Sequence, residues 1–280
     1  MQEPVVSVVL TVLNEEKHLR DLLESLVLQS VPHEILVCDA GSRDRTVTIA
    51  HEFAAEHPQI RILHERGRRG QTRNAGVRAA RGRFIAFIDG DCIANPFWLA
   101  RLVSSSERTG APIVAGRTIH LGYWAFVKLG RVELPHKGQD VTHPSSNLLY
   151  LRSVFLEIGG FDPRFITAED IDLNFRAVQS GNRIAHAEDA IVYHRARGTM
   201  GGFASQAFWN GYGRKQLTLK HGRLWREYSF RRMLAGQISL WGMIRLGCAV
   251  LGYIVCKIRE TREGWRSQTA TAAAMREARA

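Results

Sequence analysis

Phe84-Ile85-Ala86-Phe87-Ile88-Asp89-Gly90-Asp91 is an unbroken apolar run that stops on two carboxylates separated by a glycine. Five apolar residues without polar alternation read as a strand buried on both faces, the kind found in parallel sheets covered by helices. Two carboxylates at the end of such a strand are hard oxygen donors that can hold a divalent ion against a diphosphate. Asp and Gly also mark ordinary turns, so the surrounding sequence has to decide between the two readings.

Working outward, residues 5–13 form a second apolar, β-branched run, and Leu19, Leu22, Leu23, Leu26 and Val27 then repeat at helical spacing. Shorter apolar runs at 35–38 and 60–63 alternate with helical patterns at 46–56 and 72–80. The order β-α-β-α-β-α-β predicts a doubly wound α/β layer whose ligand site lies at the carboxyl ends of the strands. Asn14, Asp39 and Asp89 all fall just beyond such ends. A helix is expected over 95–107 with Pro96 in its first turn, a strand at 113–118, and an irregular stretch over 121–143. A strand at 147–151, a short helix from Ser153 stopped by Gly159-Gly160, and a helix from about Glu169 follow.

The 280 residues are 45% hydrophobic and 23% charged, which is a globular composition. The net charge of +11 implies an anionic partner, whether nucleic acid, membrane surface or phosphorylated substrate. Cys38, Cys92, Cys248 and Cys256 lack the spacing of a zinc cluster or a disulfide framework, so a reducing cytoplasm is expected. The N-terminus shows no signal-peptide pattern. No G-x-G-x-x-G or G-x-x-x-x-G-K-[ST] is present.

The run Val5-Val6-Ser7-Val8-Val9, Asn14-Glu15-Glu16, Asp39-Ala40-Gly41-Ser42-Arg43-Asp44, Gly70 to Gly76, Asp89-Gly90-Asp91, Gly159-Gly160-Phe161-Asp162 and Glu169-Asp170-Ile171-Asp172-Leu173 resembles the family 2 glycosyltransferases in order and spacing. The likeness covers roughly residues 5–216. It implies a GT-A fold, a Rossmann-like mostly parallel sheet flanked by helices, and transfer of a sugar from a nucleoside diphosphate sugar, UDP-sugar first, with inversion. It further implies that Asp39 reads the nucleotide base, that Thr11, Asn14 and Glu15 line the nucleoside pocket, and that Arg73 meets phosphate oxygens. Asp89 is expected to contact ribose or, through water, the ion. Asp91 would hold Mg²⁺ or Mn²⁺ with His194 completing the site, and Asp170 would be the base. Relatives carry a second acid at Ala40 and often Thr at Ala168.

Plainer roles stand beside these. Asp39 and Ser42 suit an Asx turn, Asn14 a helix cap, Glu169 and Asp172 a helix N-terminus, and Arg66 and Arg68 a solvated basic face. A lone histidine such as His194 is as often structural.

Residues 1–222 are expected to form the transferase domain, with a nucleotide half to about 118 and an acceptor half over 119–222. Residues 223–280 are expected to form a helical, membrane-associated region on the cytoplasmic face. Its apolar stretch, 234–256, has the length of a span, but Gln237, Trp241 and Arg245 form a polar stripe that also suits a helix lying in the interface. A buried soluble helix is the third reading. Membrane attachment favours a glycolipid or polyprenyl-phosphate acceptor over a free sugar. The stretch FASQAFWNGYGRKQ at 203–216 lacks the Q-x-x-R-W pattern of processive synthases, so a single transfer is expected. A sugar nucleotidyltransferase, a catalytically silent scaffold and a nucleic-acid-binding module are the alternatives. Nothing in the sequence matches a nucleic-acid recognition motif, and no nucleic-acid partner is expected.

Overall fold

The computed structural model describes residues 3–122, 129, 131–195, 199–222, 224 and 239–260. They divide into two units, residues 1–122 with 135–196 and residues 123–134 with 197–280. The division places residues 197–222 with the C-terminal unit, ahead of the boundary expected at 222.

The first unit opens with β1 (Val6–Val12), α1 (Leu19–Val27), β2 (His33–Asp39), α2 (Thr46–Glu56), β3 (Ile60–His64), α3 (Arg69–Ala79) and β4 (Phe84–Asp89). After it come β5 (Cys92–Ala94), α4 (Trp98–Thr109), β6 (Ile113–Leu121), the two-residue strands β7 (Pro135–His136) and β8 (Gln139–Asp140), and β9 (Leu148–Leu151). The unit ends with α5 (Arg152–Glu157), α6 (Glu169–Gln179) and β10 (Ile184–Arg195). Eight strands form one sheet in the order β3-β2-β1-β4-β9-β6-β10-β5. The first four are parallel, as the alternation predicts. The second half is mixed: β9 runs antiparallel to both β4 and β6, and β5 antiparallel to β10.

Both faces of the sheet are buried at β1, β2 and β4, which is why these strands are apolar without alternation. Val6, Val8, Leu10 and Val12 of β1 pack toward Leu19, Leu22, Leu23 and Leu26 of α1 and Trp98 of α4. Val9 packs on the other face with Leu36, Phe87, Phe155, Phe161 and Leu173. The predicted helix over 95–107 begins later, at Trp98, because Asn95 closes a turn onto the Trp98 N–H. Within 121–143 the described residues include the β7–β8 hairpin.

The second unit contains two long helices, α7 (Met200–His221) and α8 (Leu240–Arg259). Residues 234–238 of the apolar stretch and the 269–280 tail lie outside the described residues.

α3 sits so close to the sheet that a Cβ on Gly76 would stand 2.6 Å from Val9 Cγ1 and 2.8 Å from Cys38 Sγ. Gly76→Ala therefore overpacks a contact that sets the height of α3 above β1. It is expected to lower stability by about 1–3 kcal/mol, despite the gain of about 1 kcal/mol in helix propensity. Urea unfolding would show this as a lower midpoint with an unchanged slope.

Candidate functional site

β1, β2 and β3 end side by side, with Val12 opposite Asp39 and Asp39 opposite His64. The Asp39 side chain is buried. Its carboxylate accepts the Gly41 N–H at 3.1 Å and the Ser42 N–H at 2.9 Å, and lies 3.5 Å from His64 Nδ1. Burial pushes its pKa up, but the hydrogen bonds from Ser42, Gly41 and His64 outweigh that and hold it below the usual carboxylate range. The Asx-turn reading is therefore realised, and it fixes the carboxylate at the strand end. Gly41 has φ +106°, a conformation suited to glycine, and the Arg66 stem lies across it, with Cγ 3.4 Å from where a Cβ would be.

The first two loops are stitched together. The Asn14 N–H donates to Ser42 Oγ at 3.0 Å, and Asn14 Oδ1 accepts the Arg43 N–H at 2.9 Å. The Glu15 N–H donates to Thr46 Oγ1 at 2.7 Å. Asn14, at φ 58°, does not cap α1; His18 precedes that helix and makes no side-chain cap. Thr11 lies within β1, between Cys38 of β2 and Asp89 of β4.

The third strand end in the parallel half that carries chemistry is that of β4. Glu15 packs against Gly90, where an added Cβ would lie 3.0 Å from Glu15 Cγ. Burial, then the charges of Asp91, Asp89 and Asp44, push the Glu15 carboxyl up to about 7. Asp89 is half-buried; removal from water pushes its pKa up, but the Arg73 and Arg69 guanidiniums beside it outweigh that and hold it below the usual carboxylate range.

Arg73 departs from its expected role. Its side chain has no exposed surface: Nη2 donates to Asp89 Oδ1 at 2.5 Å, Nη1 donates to Glu169 Oε1 at 2.9 Å, and the guanidinium carbon lies 5.4 Å from the Phe161 ring centre. A guanidinium committed to two carboxylates inside the protein has no open face for a phosphate. Arg69, one turn earlier on α3, is the solvent-facing cation. Its side chain is 57% exposed, with Nη1 3.9 Å from Glu169 Oε1. The charge of Asp89 first, then Glu169, Asp170 and Asp91, holds its proton more tightly, against the opposing effect of burial. In sequence Glu169 reads only as a helix-start acid, and Arg69 only as added positive potential beside Arg73.

α6 begins directly after Ala168, which adopts φ 62°. The Asp170 carboxylate accepts the Ser145 N–H at 3.3 Å and the Ile171 N–H at 2.8 Å. Burial and the adjacent Glu169 charge raise its pKa to about 6, ahead of the opposing Arg73 charge. Asp172 is structural: it is buried and paired with Arg176 at 2.9 Å.

On β10, His194 Nε2 lies 3.4 Å from Asp91 Oδ1, while its Nδ1 is buried without a hydrogen-bond partner. His120 of β6 stands opposite His194 in register, with ring centres 5.3 Å apart. Cys92 completes a cluster of possible donor atoms within 4.8 Å of one another. Burial drives its thiol pKa well above the usual range, so it offers only a weak neutral sulfur. A carboxylate and an imidazole on one rim fit Mn²⁺, or Mg²⁺ with more reliance on oxygen and water.

Glu15, Asp89, Asp91, Glu169, Asp170, Arg69, Arg73 and His194 thus all belong to one unit. The family model for Glycosyl transferase family 2 matches residues 7–138. Glycosyltransferase AglE of Haloferax volcanii is 30% identical over 255 residues, covering 86% of this chain and 81% of that protein. Among solved structures, the mannosyltransferase PcManGT from Pyrobaculum calidifontis in complex with GDP-Man and Mn²⁺ superposes with a TM-score of 0.65 at 18% identity, over 98% of this chain and 81% of that one. TarS 1-349 of S. aureus in complex with UDP-GlcNAc gives 0.60 at 17%, over 89% and 81%. These similarities show the GT-A fold.

The two arginines should separate by stability. Arg73→Met strands two carboxylates and is expected to cost about 3–5 kcal/mol, whereas Arg69→Met should stay within about 0.5 kcal/mol. Equal midpoints in urea unfolding would contradict the buried bridge.

Proposed function

The chain belongs to glycosyl transferase family 2, and we propose that it moves one sugar from a UDP-sugar to an acceptor hydroxyl, with inversion, in a metal-dependent reaction. The observation that supports this most directly is Asp170, a carboxyl near neutrality placed beside the Asp89 and Glu169 bridge and in the field of the same arginines. Asp170 takes the proton of the acceptor hydroxyl. The freed oxygen attacks the anomeric carbon from the face opposite the diphosphate; the bond to the diphosphate oxygen breaks and its electron pair leaves with UDP. One displacement inverts the centre.

Asp39, fixed at its strand end, accepts the N3–H of uracil, because a carboxylate retains lone pairs after accepting the loop N–H groups. Thr11, Asn14 and Glu15 line the nucleoside side, and the free oxygen of Asp89 faces the ribose. Arg69 takes the phosphate contact that the sequence suggested for Arg73. Asp91 and His194 would hold Mn²⁺ or Mg²⁺, which supplies positive charge to the leaving diphosphate. A base at this place suits a hydroxyl nucleophile better than an acceptor phosphate, which is already ionised. The acceptor is lipid-linked, a glycolipid or a polyprenyl carrier at the cytoplasmic face of a membrane; the long apolar helix of the second unit supports this reading.

Asp170→Asn should reduce transfer at least about a thousandfold while UDP affinity, measured by calorimetry, stays within about twofold. Since the base works deprotonated, activity should be lost as pH falls through about 6. A rate independent of pH across that value would count against Asp170 as base. Chelation by EDTA, or Asp91→Ala, should weaken UDP binding about tenfold or more, with Mn²⁺ restoring only the wild type. If wild type binds no uridine nucleotide with Mn²⁺ present, the donor assignment fails.

A further inference from the structure

α8 is built in the reverse sense of a water-facing helix. Along its outer side Leu240, Met243, Leu246, Val250, Leu251, Ile254 and Ile258 are exposed, Leu240 and Met243 to 68% and Ile258 to 76%. At 100° per residue these positions form one continuous stripe from the first turn to the last, about 30 Å long.

Its more polar side chains turn the other way, into the unit. Trp241 meets the Phe203 ring edge-on at 6.3 Å, Arg245 Nη1 donates to the Leu129 carbonyl at 2.9 Å, and the Tyr253 ring lies 5.3 Å under Lys215 Nζ. Glycines hold this side against α7. A Cβ on Gly211 would fall on the Ala249 carbonyl, and one on Gly252 would fall on the Phe208 carbonyl. Trp241 and Arg245, two of the three residues of the polar stripe that in sequence suits a helix lying in the interface, are thus spent inside the protein; Gln237 lies outside the described residues.

We infer that the outer stripe of α8 is seated in one leaflet of an anionic bilayer, with the helix lying in the membrane plane. Charge selects this occupant. Lys257 and Arg259 are exposed at the end of the helix, and in sequence Arg231 and Arg232 precede it while Arg262 and Arg266 follow. A helix that crosses a bilayer carries its basic excess at one end. Basic residues on both sides of the apolar stretch in the sequence leave no one-sided excess of the kind a single span carries, and suit a helix lying along an acidic surface. A second copy of this chain on the same stripe would bring like charges together. The inference gives the membrane partner of the proposed transferase a defined surface, and it rests on that reading only for the membrane setting of the reaction.

Vesicle flotation of the full chain tests it, comparing phosphatidylcholine alone with vesicles containing about one-third phosphatidylglycerol. Binding should be at least tenfold greater on the anionic vesicles and should fall with added salt. The triple variant V250N/L251Q/I254N should lose binding at least tenfold with an unchanged melting temperature, and K257E/R259E should lose only the preference for anionic vesicles. Both variants should keep wild-type UDP affinity and wild-type transfer to a water-soluble acceptor, so a failure of the donor assignment is read separately. Resistance of the vesicle-bound chain to alkaline carbonate would show a spanning helix and overturn the in-plane arrangement. Equal binding to neutral vesicles, or no vesicle binding together with dimers dissociated by the triple variant, would overturn the anionic leaflet as occupant.

Discussion

A buried guanidinium between two carboxylates from distant parts of the chain is the constraint on which the candidate site depends. Arg73 on α3 bonds Asp89 at the end of β4 and Glu169 at the start of α6, joining the parallel half of the sheet to the helix that carries Asp170. Five carboxylates, Glu15, Asp89, Asp91, Glu169 and Asp170, would repel one another in so small a space. Burial would add the cost of removing each from water. Arg73 neutralises part of that charge from within and fixes its direction, and Arg69 faces the same acids from the solvent side. The raised pKa values of Glu15 and Asp170 are what remains uncompensated. A site left electrostatically unfinished in this way favours a ligand that brings positive charge with it.

Backbone geometry supplies the rest of the arrangement. The close approach of α3 to the sheet requires the absent side chain at Gly76, and Gly70 lets the same helix approach Glu169, where a Cβ would lie 3.0 Å from Phe161 Cβ and 3.6 Å from Glu169 Cγ. Ala168 bends the chain through a left-handed conformation immediately before α6, so that Asp170 sits in the first turn. The side chains of the candidate site are therefore placed by packed elements and by the short loops that join them.

The parallel half of the fold was legible because both its faces are buried, which leaves continuous apolar runs punctuated by helical spacing. The mixed half was less so. β9 and β10 join the sheet through partners far away in sequence, and such pairings leave no local periodicity. Asp39 and Asp89 could be placed at strand ends from the alternation alone, whereas Asp91, Asp170 and His194 were singled out by the resemblance to the family. The division of labour between Arg69 and Arg73 could not be anticipated. Both are arginines in a glycine-containing basic run, and which of them is buried depends on Phe161 and Glu169, nearly a hundred residues later. Asn14 looked like a helix cap for a similar reason: the composition of its loop fits, but α1 starts five residues on, and the side chain is taken by the neighbouring loop instead.

That neighbouring-loop contact reaches beyond local geometry. With Asn14 and Glu15 bonded to Ser42, Arg43 and Thr46, neither loop can open without breaking the other's hydrogen bonds. In amide-exchange terms the two segments form one cooperative unit, gaining or losing protection together. Any ligand arriving at either would rigidify both, and the ordering entropy of the two loops would be spent in a single event.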